Sequence, residues 1–546
     1  MASKPKILIE NGIIMDGTGN PWFRGDVAIE NGRILAIGRV KDFQADIRID
    51  ATNLVVCPGF IDIHGHSDLA VIVDPRAESK VMQGVTTELG GNCGHSPAPL
   101  EGYALEEEER SAERYGIKID WRSFGEYLDR IERQGCSINF ACLLGHGTVR
   151  WCVVGPDDRD PTEEEMERMK ELVDKSMKEG AFGLSTGLMY APGCYASTEE
   201  IIELAKVVAK HGGIYASHIR RRGEGIRRWG LITPRIDTLV EAVRETIEVG
   251  ERAGLPAQIS HHKAMGRVNW GKVKKTLAMV EDARLRGVDV TCDQYPYTAA
   301  SSSLASIFPA WARAGGTKKL IERLRDPEIR AKIREETIEN MEGIGAEYGW
   351  GDAYISYLKS EKNSHLIGKS LKEAAELLEK DPFDAAADLL AEEEGSVGIV
   401  YFAMCEEDVI TVMKNRNVMV GSDGYALSPK GILGRGRPHP RSYGTYPRVL
   451  GVYVREKRVI PWEEAIRKMT SMPAQKLGLF DRGLIRPGMW ADIVVFNPRT
   501  IKDRASFDEP HRFPVGIEYV LVNGEIVVDR GSHTGLTPGT VLRHGS

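Results

Sequence analysis

The chain reads as an α/β protein: a (β/α)8 TIM barrel, a small β-sandwich built from both chain ends, and a helical insertion. Three observations carry that reading. Short apolar runs alternate with amphipathic helical stretches through most of the 546 residues, the pattern of parallel strands joined by crossover helices. Both ends carry short strand-like runs punctuated by Asn-Gly pairs, a hairpin signal. Polar residues of metal-binding type stand where successive apolar runs stop.

Length alone calls for one large domain with satellites, since a single core stops growing well below this size. The composition, 42% hydrophobic and 28% charged, is that of a soluble globular chain. A net charge of -7 gives no basic footprint for nucleic acid. No apolar run reaches about 18 residues, so no membrane span is expected. The opening Met1-Ala2-Ser3-Lys4-Pro5 passes straight into a strand pattern without a signal-peptide core. Eight scattered cysteines form no Cys-x-x-Cys pair, which predicts reduced, mostly buried thiols in a cytoplasmic protein. The sequence carries no signal for an oligomeric state.

Residues 1–58 supply the first part of the sandwich, with strands over 6–12 and 26–37. Residues 59–470 form the barrel. Its strand candidates after the first are 84–89, 137–144, 183–185, 213–217, 257–260, 288–293 and 417–422, with helices at 163–178, 199–210 and 238–253 between them. The stretch from about 316 to 407 is charge-rich, helical and strandless, an insertion on the top face that reads as a lid. Residues 471–546 return to the sandwich through strands at 491–496 and 519–528. Neither end alone has enough strands to bury a core, so the two belong to one unit.

In such a barrel the chemistry sits where strands end at the C-terminal face. The run Pro58-Gly59-Phe60-Ile61-Asp62-Ile63-His64-Gly65-His66 ends the first strand. Side chains two apart on a strand share a face, so His64 and His66 point the same way, and Gly65 lets a ligand approach. Cys93 follows the second strand, His218 a middle one, and His261-His262-Lys263 the next. Asp293-Gln294-Tyr295-Pro296-Tyr297 and then Ser422-Asp423 close the series. Nitrogen and sulfur donors of this kind favour zinc over magnesium or calcium. A metal would deprotonate Cys93, which could then bridge two ions. His261 shares strand parity with Lys263 while His262 faces away, so His261 is the better ligand. Asp423 is either a carboxylate that takes a proton from water activated by zinc and returns it to a leaving group, or a turn or cap aspartate.

With these residues in place, the chain resembles the metal-dependent amidohydrolase superfamily, and within it the N-acyl-D-amino-acid deacylases. The broad likeness rests on His64-Gly65-His66, His218, His261, Asp423 and the split β-sandwich. The narrower likeness rests on Gly91-Asn92-Cys93-Gly94, Gly145-His146-Gly147-Thr148-Val149-Arg150, the stretch 183–190, Asp293-Gln294-Tyr295-Pro296-Tyr297 and Arg437-Pro438-His439-Pro440-Arg441. Many binuclear relatives bridge their metals with a fourth-strand lysine. None is present in 181–187, and Cys93 matches the deacylases' substitute.

The resemblance implies a tight zinc held by Cys93, His218 and His261, a weaker position at His64, His66 and the shared Cys93, and Asp423 as the catalytic carboxylate. It implies that Lys263, Tyr295 or Tyr297, and one of Ser301, Ser302 and Ser303 bind the substrate α-carboxylate, with Ser303 taken as the serine. Arg441 is either a further carboxylate clamp, since a guanidinium fork suits one, or a solvated loop arginine. His146 either lines the site or packs at a strand end. The implied reaction is zinc-dependent hydrolysis of the amide bond of an N-acyl-D-amino acid, giving a D-amino acid and a carboxylate. The alternative is a related hydrolase of cyclic amides or of dipeptides containing D-amino acids. One departure from the family pattern is a long basic loop over 220–235 beside the site. It favours acidic acyl-amino acids, makes a subunit contact, or is merely solvated.

Overall fold

A computed structural model describes residues 4–220, 227–228, 231–232, 238–343 and 346–545. Eight parallel strand positions make the barrel: Phe60–Asp62, Val85–Gly90, Asn139–Cys142 continued by Leu144–Gly145, Gly183–Gly187, Ile214–His218, Ala257–Ile259, Val290–Gln294 and Val418–Val420. Most are buried along their whole length, as strands covered on both faces must be. The ring closes through backbone that belongs to the future site. Asp423 donates its N–H to the His64 carbonyl at 2.7 Å, and His66 donates to the Gly424 carbonyl at 2.9 Å.

Side chains from the strands fill the interior, among them Ile61, Leu89, Ala141, Phe182, Ile214 and Met419. Met472, Ala474 and Leu477 of the helix Ser471–Leu477 join the same cluster. This first turn of the stretch from 471 therefore packs into the barrel core rather than into the β-sheet unit, because its apolar face matches the open end of the barrel.

The two chain ends do meet in one sheet. Its strand order is Ser532–His533, Glu525–Asp529, Ile517–Val522, Ile493–Phe496, Val55–Pro58, Ile7–Ile14, Phe23–Glu30 and Arg33–Gly38, with Ile47–Asp50 also on Ile7–Ile14. The junction pairs Cys57 with Val494, antiparallel. Period-two alternation decides what each face covers. Ile493 and Val495 enter the sheet's own core, while Val494 and Phe496 join the large cluster shared with the barrel. Two of the Asn-Gly pairs, Asn31-Gly32 and Asn523-Gly524, are hairpin turns with both residues at positive φ. The third, Asn11-Gly12, instead marks a register shift inside the strand Ile7–Ile14.

The insertion is not strandless. Ala353–Leu358 and Val397–Phe402 form strands, and with Ala299–Ser303 they make an antiparallel sheet in which Ser302 opposes Ile399. The sequences AYISYL and VGIVYF have strand propensity that the surrounding charged helices concealed. The serine-rich third strand is imposed by pairing. A separate core of Leu320, Leu324, Phe383, Leu390, Ile355 and Ile399, among others, holds this unit together. Among the described residues, no helix is long and apolar enough to cross a membrane.

Candidate metal centre and active site

The strand-end residues converge. His64, His66, Cys93 and Asp423 bring one donor atom each within 4.8 Å of one another, and so do Cys93, His218 and His261. Cys93 Sγ stands 3.3 Å from His64 Nε2, 3.4 Å from His218 Nδ1 and 3.6 Å from His261 Nε2. Tetrahedral zinc with its usual bond lengths has N···S edges of about 3.5 Å, so the thiol and its histidines fit the ion. His218 Nδ1 and His261 Nε2 face each other at 2.9 Å.

Burial alone would push the Cys93 thiol up, but His64, His218 and His261 override it and hold the thiol well below its ordinary value. A thiolate is the form that binds metal. Burial brings His261 down to about 3, leaving it a neutral donor. His64 presents Nδ1 to Asp293 Oδ1 at 3.1 Å. A carboxylate only accepts, so Nδ1 carries a proton, and Nε2 is the nitrogen turned toward Cys93 and available to a metal.

Cys93, His261 and Asp423 all have positive φ, 53°, 35° and 51°. Such backbone is costly for residues with a Cβ and persists where the surroundings impose it. His261 lies beyond its strand, in this turn, so strand parity does not aim it. His262 turns away as expected, with its Nε2 2.9 Å from Thr276 Oγ1.

Asp423 Oδ1 is 3.0 Å from His66 Nε2, and Oδ2 is 2.7 Å from Arg441 Nη1. Burial would raise Asp423, but the Arg441 guanidinium dominates and keeps it well below the carboxylate range. Arg441 is buried, not a solvated loop residue, and lies 4.9 Å over the Tyr295 ring. Lys263 Nζ lies 5.3 Å from the same ring, and burial brings it down to about 8.

Tyr295 Oη and Ser302 Oγ are buried without a partner in hydrogen-bonding geometry; Arg441 and Tyr190 stand beside them. Buried polar atoms are normally satisfied, and Arg441 and Tyr190 are the neighbours placed to do so here. Ser303 lines the cavity, and its Oγ accepts from Ala305 N–H at 3.3 Å, which leaves the hydroxyl proton free to donate. Ser301 donates to the Ile399 carbonyl at 3.1 Å. All three serines line the cavity, and Ser301 is the one whose hydroxyl proton goes to a backbone carbonyl.

Neither Tyr295 nor Tyr297 lines the main cavity; both border a smaller pocket beside Lys263. An N–H to carbonyl turn from Tyr297 to Tyr295, 3.1 Å, breaks the alternation, and Tyr297 packs beneath Arg448. His146 is also out of the site, its Nε2 2.8 Å from the buried Glu200. Of the basic loop, residues 221–226, 229–230 and 233–237 lie outside the described residues.

The sequence reading missed the support beneath the ligands. Asp293 as a brace and the buried trio Asp62, Lys80 and Glu88 are the main cases. Asp293 at a strand end was a legible signal, but a lysine in a short helix gave none.

Cys93, His218, His261, Lys263, Asp423 and Arg441 all line a cavity of about 590 Å³. A barrel with metal-ligating residues at its strand ends and a carboxylate among them is that of a metal-dependent hydrolase. Residues 48–528 match the amidohydrolase family, and the chain belongs to it. It is 36% identical to the D-aminoacylase of Alcaligenes xylosoxydans xylosoxydans, over 98% of this chain and 97% of that protein. It is equally similar, at 36%, to that organism's N-acyl-D-glutamate deacylase, over 100% and 97%. The crystal structure of the N-acyl-D-glutamate deacylase from Bordetella bronchiseptica, complexed with zinc and a phosphonate inhibitor that mimics the tetrahedral intermediate, superposes with a TM-score of 0.80. It shares 35% identity and covers 99% of this chain and 100% of that one.

Proposed function

We propose that this chain hydrolyses the amide bond of N-acyl-D-amino acids, with zinc, to a D-amino acid and a carboxylate. The observation that carries the reading is the convergence of Cys93 with His218 and His261 beside an Asp423 held by His66 and Arg441. Cys93, His218 and His261 hold the tight ion, and His64 and His66 with the shared Cys93 hold the weaker one. When bound, zinc polarises an amide carbonyl and lowers the pKa of water to about 7.

The chain's own residues do the rest. Asp423 accepts the proton of the attacking water on a carboxylate oxygen and delivers it to the departing nitrogen. Lys263 and Arg441 pair with the substrate α-carboxylate, and the hydroxyls of Tyr295 and of Ser302 or Ser303 complete its hydrogen bonds. That anchor, set to one side of the metal ligands, fixes which hand of the α-carbon turns its amide toward them. The substrate is a small molecule. The net charge of -7 speaks against nucleic acid, and eight free cysteines support a reducing, cytoplasmic setting.

Chiral analysis of products from the zinc-loaded protein on N-acetyl-D- and N-acetyl-L-amino acids tests the reading. The side chains should include leucine, methionine, phenylalanine, aspartate and glutamate. Release of D-amino acids alone is expected. No release of either hand, with zinc bound, would move the assignment to cyclic amides or D-peptides.

A further inference from the structure

Beneath the His64–His66–Asp423 side of the centre lies a buried cation. Lys80, on the short helix Glu78–Val81, has no exposed surface. Its Nζ donates to Asp62 Oδ2 at 2.7 Å, Ser422 Oγ at 2.9 Å and the Gly424 carbonyl at 3.0 Å, and pairs with Glu88 Oε2 at 3.4 Å. An ammonium has three protons, and all are engaged.

Each partner leads to a residue of the centre. Asp62 stands two residues before His64, and its Oδ1 accepts the N–H groups of His64, at 3.2 Å, and Ser422, at 2.9 Å. Glu88 accepts from Ser67 N–H at 3.1 Å and Ser67 Oγ at 2.9 Å, just after His66. Ser67 Oγ in turn accepts Ala426 N–H at 2.7 Å. The packing is tight: a Cβ on Gly65 would fall 1.9 Å from Glu88 Oε1. Lys80 thus ties the first, second and eighth strands together at the one place where the barrel closes. It touches none of Cys93, His218 or His261.

Asp423 sits between the two eighth-strand residues that Lys80 holds, at a φ of 51°. A left-handed aspartate persists only when its neighbours over-determine it. Ser422 on one side and Gly424 on the other are both fixed by the same ammonium. We infer that Lys80 is a positioning residue for Asp423: it holds the turn that presents the Asp423 carboxylate to His66 and to the substrate. The inference rests on the proposed hydrolysis, in which Asp423 moves the proton.

The test is Lys80→Met in the full-length, zinc-loaded protein, with Ser422→Ala as the second variant because it removes one Lys80 contact, together with the Ser422 Oγ bonds to Asp62 Oδ2 and the Gly424 N–H, without stranding a charge. Zinc content, the folded fraction, and kcat and KM per zinc-loaded folded molecule on N-acetyl-D-amino acids are measured. A misplacement of about 1 Å in a catalytic group costs about 100-fold, so kcat of Lys80→Met should fall about that far. KM and the zinc held by Cys93, His218 and His261 should stay near parental values, and Ser422→Ala should show a smaller fall. A purely structural lysine would reduce the amount of folded protein and leave kcat per folded molecule intact.

The inference is overturned if kcat of folded Lys80→Met stays within about threefold of the parent, or that of Ser422→Ala does where Lys80→Met does not fold. A parent with no turnover on any N-acyl-D-amino acid counts against the hydrolysis, not against Lys80. Crystal structures of the variants decide the positioning in that case. An Asp423 turn and His66 contact unchanged from the parent overturn it, and their loss upholds it.

Discussion

Asp293 Oδ1 lies 3.1 Å from His64 Nδ1 and also accepts the backbone N–H of His261 at 2.8 Å. One carboxylate oxygen on the seventh strand therefore sets the tautomer of a first-strand histidine and the turn of a sixth-strand one. Gln258 Nε2 holds its other oxygen at 2.7 Å. Burial would raise the Asp293 carboxyl, but His64 beside it keeps it low. Ionised, it makes His64 a better donor through Nε2.

Asp293→Asn removes that charge while keeping the shape. Partners behind metal ligands are typically worth 10- to 100-fold in metal affinity, so a loss of about that size is expected. It should appear mainly at the weaker position, where His64 is a proposed ligand. Zinc titration of apoprotein, resolving two equivalents, reads it; an unchanged weak-site affinity refutes the role.

Asp423→Asn should keep the tight zinc, whose proposed ligands it does not include, and lose the proton transfer. General acid–base catalysis is worth about 10²- to 10⁴-fold, and kcat should fall within that range. Metal analysis beside steady-state kinetics checks both halves.

Glu200 is buried between His146 and Arg150. Burial alone would raise it, but the Arg150 guanidinium and the hydrogen bond from His146 bring it down to about 2 from the ordinary 4.5. A carboxyl depressed by folding adds stability that is full above the unfolded value and is lost as pH falls toward the folded one. The stability advantage of the parent over Glu200→Gln should thus be greatest at neutral pH and shrink progressively below about pH 4.5. Urea midpoints of both proteins from pH 7 to about pH 3 measure it.

The cavity of about 590 Å³ lies within the range of sites that take drug-sized ligands, roughly 300–1,000 Å³. An N-acetyl amino acid is much smaller. Tyr115, Trp151, Leu427 and Leu433 are among the lining residues. Acyl groups larger than acetyl should be accepted, so kcat/KM for an N-phenylacetyl-D-amino acid should at least equal that for its N-acetyl analogue. A strong preference for acetyl would show that the apolar wall serves another part of the substrate.

The cluster that could hold a metal was readable because each member ends or follows an apolar run of buried-strand type. His64, His66, Cys93, His218, His261 and Asp423 each end or follow such a run, and the barrel brings strand ends together whatever joins them. Lys263 and Arg441 were readable as cations near those ends. The choice between Tyr295 and Tyr297, and among Ser301, Ser302 and Ser303, was not. Both depend on a local turn and on which hydroxyl a neighbouring strand consumes. The strands in the insertion, Ala353–Leu358 and Val397–Phe402, were hidden among charged helices, and Ala299–Ser303 before it has little propensity of its own and becomes a strand only by pairing with Val397–Phe402.

By itself, then, the sequence determined the alternation of strand and helix, the two ends that share a sheet, and the residue types offered to a metal. Those follow from local periodicity and from side-chain chemistry, which survive without knowledge of neighbours. Only the tertiary structure decided that Lys80 is buried under Asp423 and that Asp293 braces His64. Each depends on groups far apart in the chain, from 18 residues between Lys80 and Asp62 to 344 between Lys80 and Gly424. A buried charge is tolerated only where such distant partners meet it.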